Sequence, residues 1–259
     1  MSCFDHFEID IIWALSEQLL TALERLDPAA LTIDSINALE KGQGIYQLYS
    51  RGSLVYVGKA QNLKKRLVEH HDKIAGRLNI DVVDVAFTCL FVHPNWTGLA
   101  PEAALINHHK KARKGACAWN GNGFGPHDTG RDRDTTDKRI DGFDKQFPIR
   151  VDWTCEWIAK GSYHAFELLL NMKRGLPYLL RFQMAAKESK KPHAELLEAL
   201  IEVPSDGMTA RELLLLVASN LSGWQATVFP GHMILYKEEK KEYAHGRIIW
   251  PIWPYRMES

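Results

Sequence analysis

No stretch of the 259 residues approaches the roughly 18 consecutive apolar side chains of a membrane-spanning helix, so no membrane partner is expected. A secretory leader is missing too, because the N-terminus MSCFDHFEID is acidic where a leader would be basic and then apolar; the expected location is cytoplasmic. Cysteine is scarce, and Cys3, Cys89, Cys117 and Cys155 lie far apart without a CxxC pair. That spacing excludes a zinc ribbon and a disulfide framework, and it predicts buried free thiols. The histidine pairs His70-His71 and His108-His109 lack a third ligand at zinc spacing. Net charge is absent as well, with 32 basic against 32 acidic side chains, which taken alone argues against a polyanionic partner.

The charge is nevertheless uneven. Residues 1–40 carry one basic against eight acidic side chains, residues 41–155 carry 18 against 12, and the remainder is nearly balanced. A local cationic surface matters more to a polyanion than the total does, so the middle third is where one would bind. With 46% hydrophobic content the chain can bury a sizeable core, in one large domain or two small ones.

Apolar periodicity predicts a helix at about residues 8–26, through Ile11, Ile12, Leu15, Leu19, Leu20 and Leu23, followed by a linker over 27–43. GIYQLYS and LVYVGK read as an antiparallel hairpin turning at Gly52 and Ser53. Asn62 is placed to cap a helix running to about Ala75, with Leu63, Leu67 and Ile74 inward and Arg66 and His70 sharing an adjoining face. VVDVAFTCLFV reads as a third strand. Pro101 then opens the helix PEAALINHHKKARK, with Glu102 in its first turn and His109, Lys110, Lys111, Arg113 and Lys114 toward its end. The expected order is β-β-α-β-α.

Strand-end phenols, a helical arginine and a helical carboxylate thus converge on one small sheet. Phosphodiester hydrolysis needs such groups: a base or relay to activate water, a cation to stabilise the pentavalent phosphate, and a metal-bound carboxylate to help the leaving oxygen depart. Singly, each has a plainer explanation. Tyr46 and Tyr56 fit core aromatics, Arg66 and His70 solvated helix positions, and Glu102 a favourable charge at a helix start.

Together, Gly44-Ile45-Tyr46, Tyr56-Val57-Gly58, Arg66, Glu102 and Asn120 resemble the GIY-YIG nucleases over roughly residues 35–155. The likeness is to the restriction-endonuclease branch that cuts a short GC-rich palindrome. It is carried by Lys59 after the second motif, by Arg66 and His70 in R-x-x-x-H, by EAALI, and by WNxxGFGxH from Trp119 to His127. Val57 replaces the middle isoleucine of YIG. The resemblance implies that Tyr46 activates or aligns the attacking water, with Lys59 lowering its pKa and His70 assisting proton transfer. Tyr56 would hold the scissile phosphate or the nucleophile, and Arg66 would meet the phosphate oxygens. Asn120 would position the phosphate or the network beside the sheet. Glu102 would bind one Mg²⁺ per active site, with most ligands from water and phosphate. The general base stays open between tyrosine and a nearby group.

Lys64 and Lys65 on the first helix of the motif are candidate DNA contacts. Arg131 and Arg133, in the long glycine-rich and charged loop after Gly115, are candidates to read guanine edges; a surface loop of Arg/Asp pairs is the plainer reading. Beyond residue 158, GSYHAFELLLNMKRGLPYLLRFQMAAKES and PHAELLEALIEV read as long helices. A helix TARELLLLVASNL and a hairpin over ATVFPGHMILYKEEKKEYAHGRIIW follow, a pattern compatible with a winged helix.

The expected fold is α+β. It has an N-terminal helical arm (1–40), a nuclease domain with a three-stranded antiparallel sheet and recognition loop (41–157), and a mostly helical C-terminal domain with a hairpin (158–259). The expected activity is sequence-specific cleavage of double-stranded DNA by a type II restriction enzyme, a homodimer on DNA whose site a cognate methyltransferase would protect. A repair, mobile-element or phage-defence nuclease, a non-catalytic nucleic-acid-binding module, and a structural partner protein remain alternatives.

Overall fold

The computed structural model describes residues 10–93, 101–125, 134–135, 140–186, 189, 191–238 and 241–251. The chain divides into two units, Met1–Asp72 with Asp81–Asp128, and Lys73–Ile80 with Thr129–Ser259. No helix among the described residues is long and apolar enough to cross a membrane.

The first unit is built on β2 (Gly44–Ser50) and β3 (Ser53–Ala60), joined through Arg51 and Gly52. Both turn residues have positive φ, 48° and 75°, the geometry whose twist matches a two-residue hairpin. The turn therefore lies one residue earlier than Gly52-Ser53. β4 (Val85–Phe91) pairs antiparallel with β2, and Asp81 starts the 3-10 turn ahead of it by accepting from the Val83 N–H. The sheet has four strands rather than three, because β1 (Ala29–Ala30) pairs with β4 in the order β1-β4-β2-β3. The expected linker also contains a short helix, α2 (Ile33–Asn37), capped by Thr32.

Alternation along the strands separates two layers. The Ile45 and Val57 side is buried with Leu19, Leu20 and Leu23 of α1 (Ile11–Glu24) and Leu105 of α4 (Pro101–Ala112). On the other side, Tyr46 meets His70 of α3 (Leu63–Ala75). α3 begins at Asn62, whose side chain accepts from the Lys65 N–H at 3.0 Å. The segment after α4 then covers the edge strand, with the Cys117 and Trp119 N–H groups donating to the Leu54 and Val55 carbonyls.

The C-terminal unit is not mostly helical. Its elements are α5 (Phe143–Gln146), β5 (Gly161–His164), α6 (Ala165–Gly175), β6 (Leu179–Phe182), α7 (Ala194–Glu198), β7 (Leu200–Val203), α8 (Ala210–Ser219), β8 (Gln225–Val228), β9 (His232–Tyr236) and β10 (Arg247–Trp250). The first expected helix is cut at Leu176, because Pro177 follows and excludes helical geometry before it; the next residues become a strand. The second stops after five residues. From there Leu200, Ile201, Glu202 and Val203 alternate outward and inward, the period of a strand. The hairpin expected after α8 is present as β8 and β9. It belongs to a mixed sheet, β10-β8-β9-β6, in which β6 runs parallel to β9. α8 carries a reciprocal cap between Thr209 and Glu212, and its Leu213, Leu214 and Val217 join Leu168, Met172, Trp224 and Met233 in the core. The thiols of Cys117 and Cys155 are buried and free, and burial pushes the Cys117 thiol up to about 11 and the Cys155 thiol up to about 12.

Candidate active site

The glycine of each motif clears a different neighbour. Gly58 is the register partner of Tyr46, and a Cβ at Gly58 would lie 2.5 Å from both Cζ and the hydroxyl oxygen of that ring. A Cβ at Gly44 would collide with the Leu90 carbonyl on β4. Each motif therefore ends or begins in glycine for a steric reason at its own position.

Tyr46 is 1% exposed, and its hydroxyl lies 2.7 Å from Nε2 of His70, itself 3% exposed. Tyr56 packs beside Tyr46 with ring centroids 6.0 Å apart. Phe124 closes the far side. It stacks on His70 at 4.8 Å with 14° between planes, and meets the Tyr56 ring edge-on at 5.0 Å. Phe124 lies within the GFG of the loop motif, but the sequence carries no signal that this ring seals the imidazole.

Burial is the main reason the Tyr46 hydroxyl is held far above its ordinary value, and the nearby Tyr56, which also hydrogen-bonds it, and the Glu102 charge push the same way. The Arg66 guanidinium acts in the opposite sense. Tyr46 is therefore a neutral phenol at physiological pH. These influences bring Tyr46, Tyr56, His70, Arg66 and Glu102 into one neighbourhood. Arg66, one turn before His70 on α3, is paired through Nη1 with Oε2 of Glu69 at 2.6 Å. Glu102 is half-buried in the first turn of α4.

Asn120 grips the edge strand rather than the phenols: its amide donates to the Val57 carbonyl at 2.8 Å, and its oxygen accepts from the Val57 N–H at 2.9 Å. Lys59 is exposed, and strand alternation puts it with Ile45 and Val57, on the side away from Tyr46. Lys64 donates to the Asn37 carbonyl, while Lys65 is exposed. Arg131 and Arg133 lie outside the described residues. Among the described residues no group of three or more His, Cys, Asp or Glu side chains is arranged to hold a metal ion. A single carboxylate among phenols suits a hard, largely hydrated ion whose remaining ligands are water and phosphate.

A buried phenol–imidazole pair flanked by a guanidinium and a carboxylate has the chemistry of a phosphodiester-cleaving site. Residues 47–152 match the family model described as the Eco29kI GIY-YIG domain. The matched stretch starts one residue after Tyr46 and contains Tyr56, Lys59, Arg66, His70, Glu102 and Asn120. It covers fewer than half of the 259 residues, and it supports a GIY-YIG endonuclease domain, of a family associated with restriction enzymes, in that part of the chain. No curated protein matches the chain.

Proposed function

We propose that the protein is a Mg²⁺-dependent endonuclease that cuts both strands of duplex DNA at a specific short sequence, as a type II restriction enzyme does. The 2.7 Å contact between the Tyr46 hydroxyl and His70 carries this reading. With His70 in the tautomer that leaves Nε2 unprotonated, Tyr46 donates to it, and the phenol oxygen keeps a lone pair for an attacking water. Water then loses a proton to Tyr46 as Tyr46 passes its own to His70. The imidazole is the terminal base and the phenol never needs to be an anion, in keeping with its raised pKa. Arg66 leaves Glu69 to meet the phosphate oxygens, and Tyr56 orients the phosphate or the water. Asn120 holds the strand that carries Tyr56 and Gly58. Glu102 would hold the divalent ion, whose chemistry is to stabilise charge on the departing 3′ oxygen. Lys59, exposed on the other side of the strand, serves the DNA backbone in this scheme rather than the Tyr46 proton.

The same reading takes Lys64, Lys65, Arg131 and Arg133 as DNA contacts and the recognition site as GC-rich. It also takes the working form as a homodimer inside the cell, because a palindrome presents two scissile phosphates and each chain carries one site. A cognate methyltransferase would protect the host's copies. Incubating the protein with plasmid DNA and Mg²⁺ and sequencing the ends tests the proposal. Defined double-strand ends at one sequence support it; single-strand nicks at damaged or branched DNA favour a repair nuclease, and no cleavage rejects it.

A further inference from the structure

The side of the sheet away from Tyr46 carries a polar network that the scheme above does not use. Gln47 follows Tyr46 in β2, and its side chain is 3% exposed. Its amide is committed in three directions. Oε1 accepts from the Tyr49 hydroxyl at 2.7 Å and from the hydroxyl of its cross-strand partner Thr88 at 3.3 Å, and Nε2 lies 3.0 Å from Nε2 of His109 on α4. An amide NH₂ can only donate, so His109 accepts and is neutral there. Burial first, then the neighbouring His108, lowers its pKa in the required direction, against the pull of Glu24.

Position along α4 gives this bond its meaning. Glu102, Leu105 and His109 are spaced three and four apart, one stripe of the helix. Leu105 is fully buried against Ile45 and Val57. An apolar contact of that kind attracts the helix but tolerates rotation or sliding, whereas a hydrogen bond to a buried amide has a direction. Gln47–His109 is therefore a directional tie between the helix and the strand that carries Tyr46, two turns from the carboxylate whose charge reaches the phenol.

We infer that Gln47 and His109 are a positioning pair that sets the rotation and register of α4 and so places Glu102 relative to Tyr46. The inference rests on the reading of Glu102 as the carboxylate that holds the divalent ion. Loss of the pair loosens the aim of Glu102 without touching any reacting atom, so it weakens ion binding before it weakens the proton relay.

The test uses the full chain and three readouts: Mn²⁺ affinity from the electron paramagnetic resonance of free ion, the Mg²⁺ concentration for half-maximal plasmid cleavage, and the melting temperature. Gln47→Leu and His109→Leu are each expected to weaken Mn²⁺ binding and raise the half-saturating Mg²⁺ by about tenfold, the usual scale for residues that support a metal ligand. The double variant should be no worse than either single, because both remove one bond. His109→Gln, whose amide oxygen can accept from Gln47, should restore parental behaviour; His109→Asn, shorter by one methylene, should not. Ile36→Ala, a buried change in α2, should lower the melting temperature and leave both ion readouts in place. If the leucine variants melt earlier with unchanged ion dependence, or if their effects on ion binding add, the pair only stabilises the fold and the inference is wrong. Should the leucine variants fail to fold, the Gln and Asn replacements decide between the same two outcomes. A parent that binds no Mn²⁺ and cuts without divalent ions instead removes the metal role of Glu102, and the inference falls with it.

Discussion

The two units differ in the polar groups they bury. Among the described residues of the first, the buried polar side chains around the sheet are phenol, amide, hydroxyl and imidazole groups joined by hydrogen bonds: Tyr46 to His70 on one side, Gln47 to Thr88 and His109 on the other. The C-terminal unit buries the neutral Gln225 and Thr227, and it buries charge as well. Arg77 and Asp144, 3% and 9% exposed, pair at 2.9 Å, and Arg77 also donates to the Phe147 and Pro230 carbonyls. Asp134 is held by His232 at 2.7 Å, by Arg181 and by the Tyr236 hydroxyl. Burial raises the Asp134 pKa, but those partners outweigh it and leave the carboxyl below its usual range. A phenol hydrogen-bonded to an imidazole has both a proton to give and a site to take one, whereas a paired charge in an apolar surrounding resists any change of state. The first arrangement suits chemistry and the second suits a fixed scaffold.

The contrast breaks most sharply at the carboxylate of the site. Glu102→Gln should lower cleavage by orders of magnitude, since loss of metal-ion stabilisation of a transition state is worth several kcal/mol, while melting stays near the parent's. Parallel gel-shift and cleavage assays in Ca²⁺ and Mg²⁺ check it, with DNA binding kept. A parental cutting rate would remove Glu102 from the site.

Next in size is the converse in the other unit. Arg77→Met leaves Asp144 buried without its cation and should destabilise the protein by about 3–5 kcal/mol. Denaturant melts measure the loss, and the cleavage rate per folded molecule should be unchanged. Full stability in that variant would mean that the charges of this unit are no lock.

A smaller effect sharpens the electrostatics. Glu69→Gln frees Arg66 from a half-exposed ion pair, and such pairs contribute roughly 0.2–1 kcal/mol. DNA affinity should rise a few-fold at low salt, and the gain should fade as salt screens it. An unchanged or weaker affinity across the salt titration would detach Arg66 from the phosphate.

The smallest effect is with pH. His109 has a folded pKa below its ordinary 6.5, so the unfolded chain takes up the proton first. Its contribution to stability is complete above 6.5 and is lost as pH falls below that value toward the folded pKa. The melting temperature should therefore sag on acidification through that window in the parent and less in His109→Gln. Equal slopes would show that His109 is no less basic folded than unfolded.

Much of the site was legible because its determinants are local. A capping Asn62 and Pro101 with Glu102 after it act within a few residues of themselves, and the glycines at 44 and 58 stand out in their short motifs although the groups that require them, Leu90 and Tyr46, lie farther along the chain. The elements that escaped depend on distant pairing. β1 is two exposed alanines with no pattern, and β6 is a strand because it lies parallel to β9 some fifty residues on, where tertiary pairing overrides the helical leaning of Leu-rich sequence. Gln47 reads as an ordinary strand residue until His109, 62 positions later, is set opposite it. The burial of Phe124 against His70 depends likewise on the path of the loop that carries it.

Gly58 has a consequence for how such a site can change over generations. Because the Tyr46 ring occupies the space a Cβ would need, the two positions are interlocked: a larger residue at 58 is admitted only if 46 shrinks, and a smaller 46 has no phenol. Every single-step path away from this pair passes through a chain without the hydroxyl that faces His70. Drift can leave the active form in one substitution, but once a second has filled the vacated space, return takes two, in order, and the first of them restores no activity, so loss of the enzyme behaves as a ratchet.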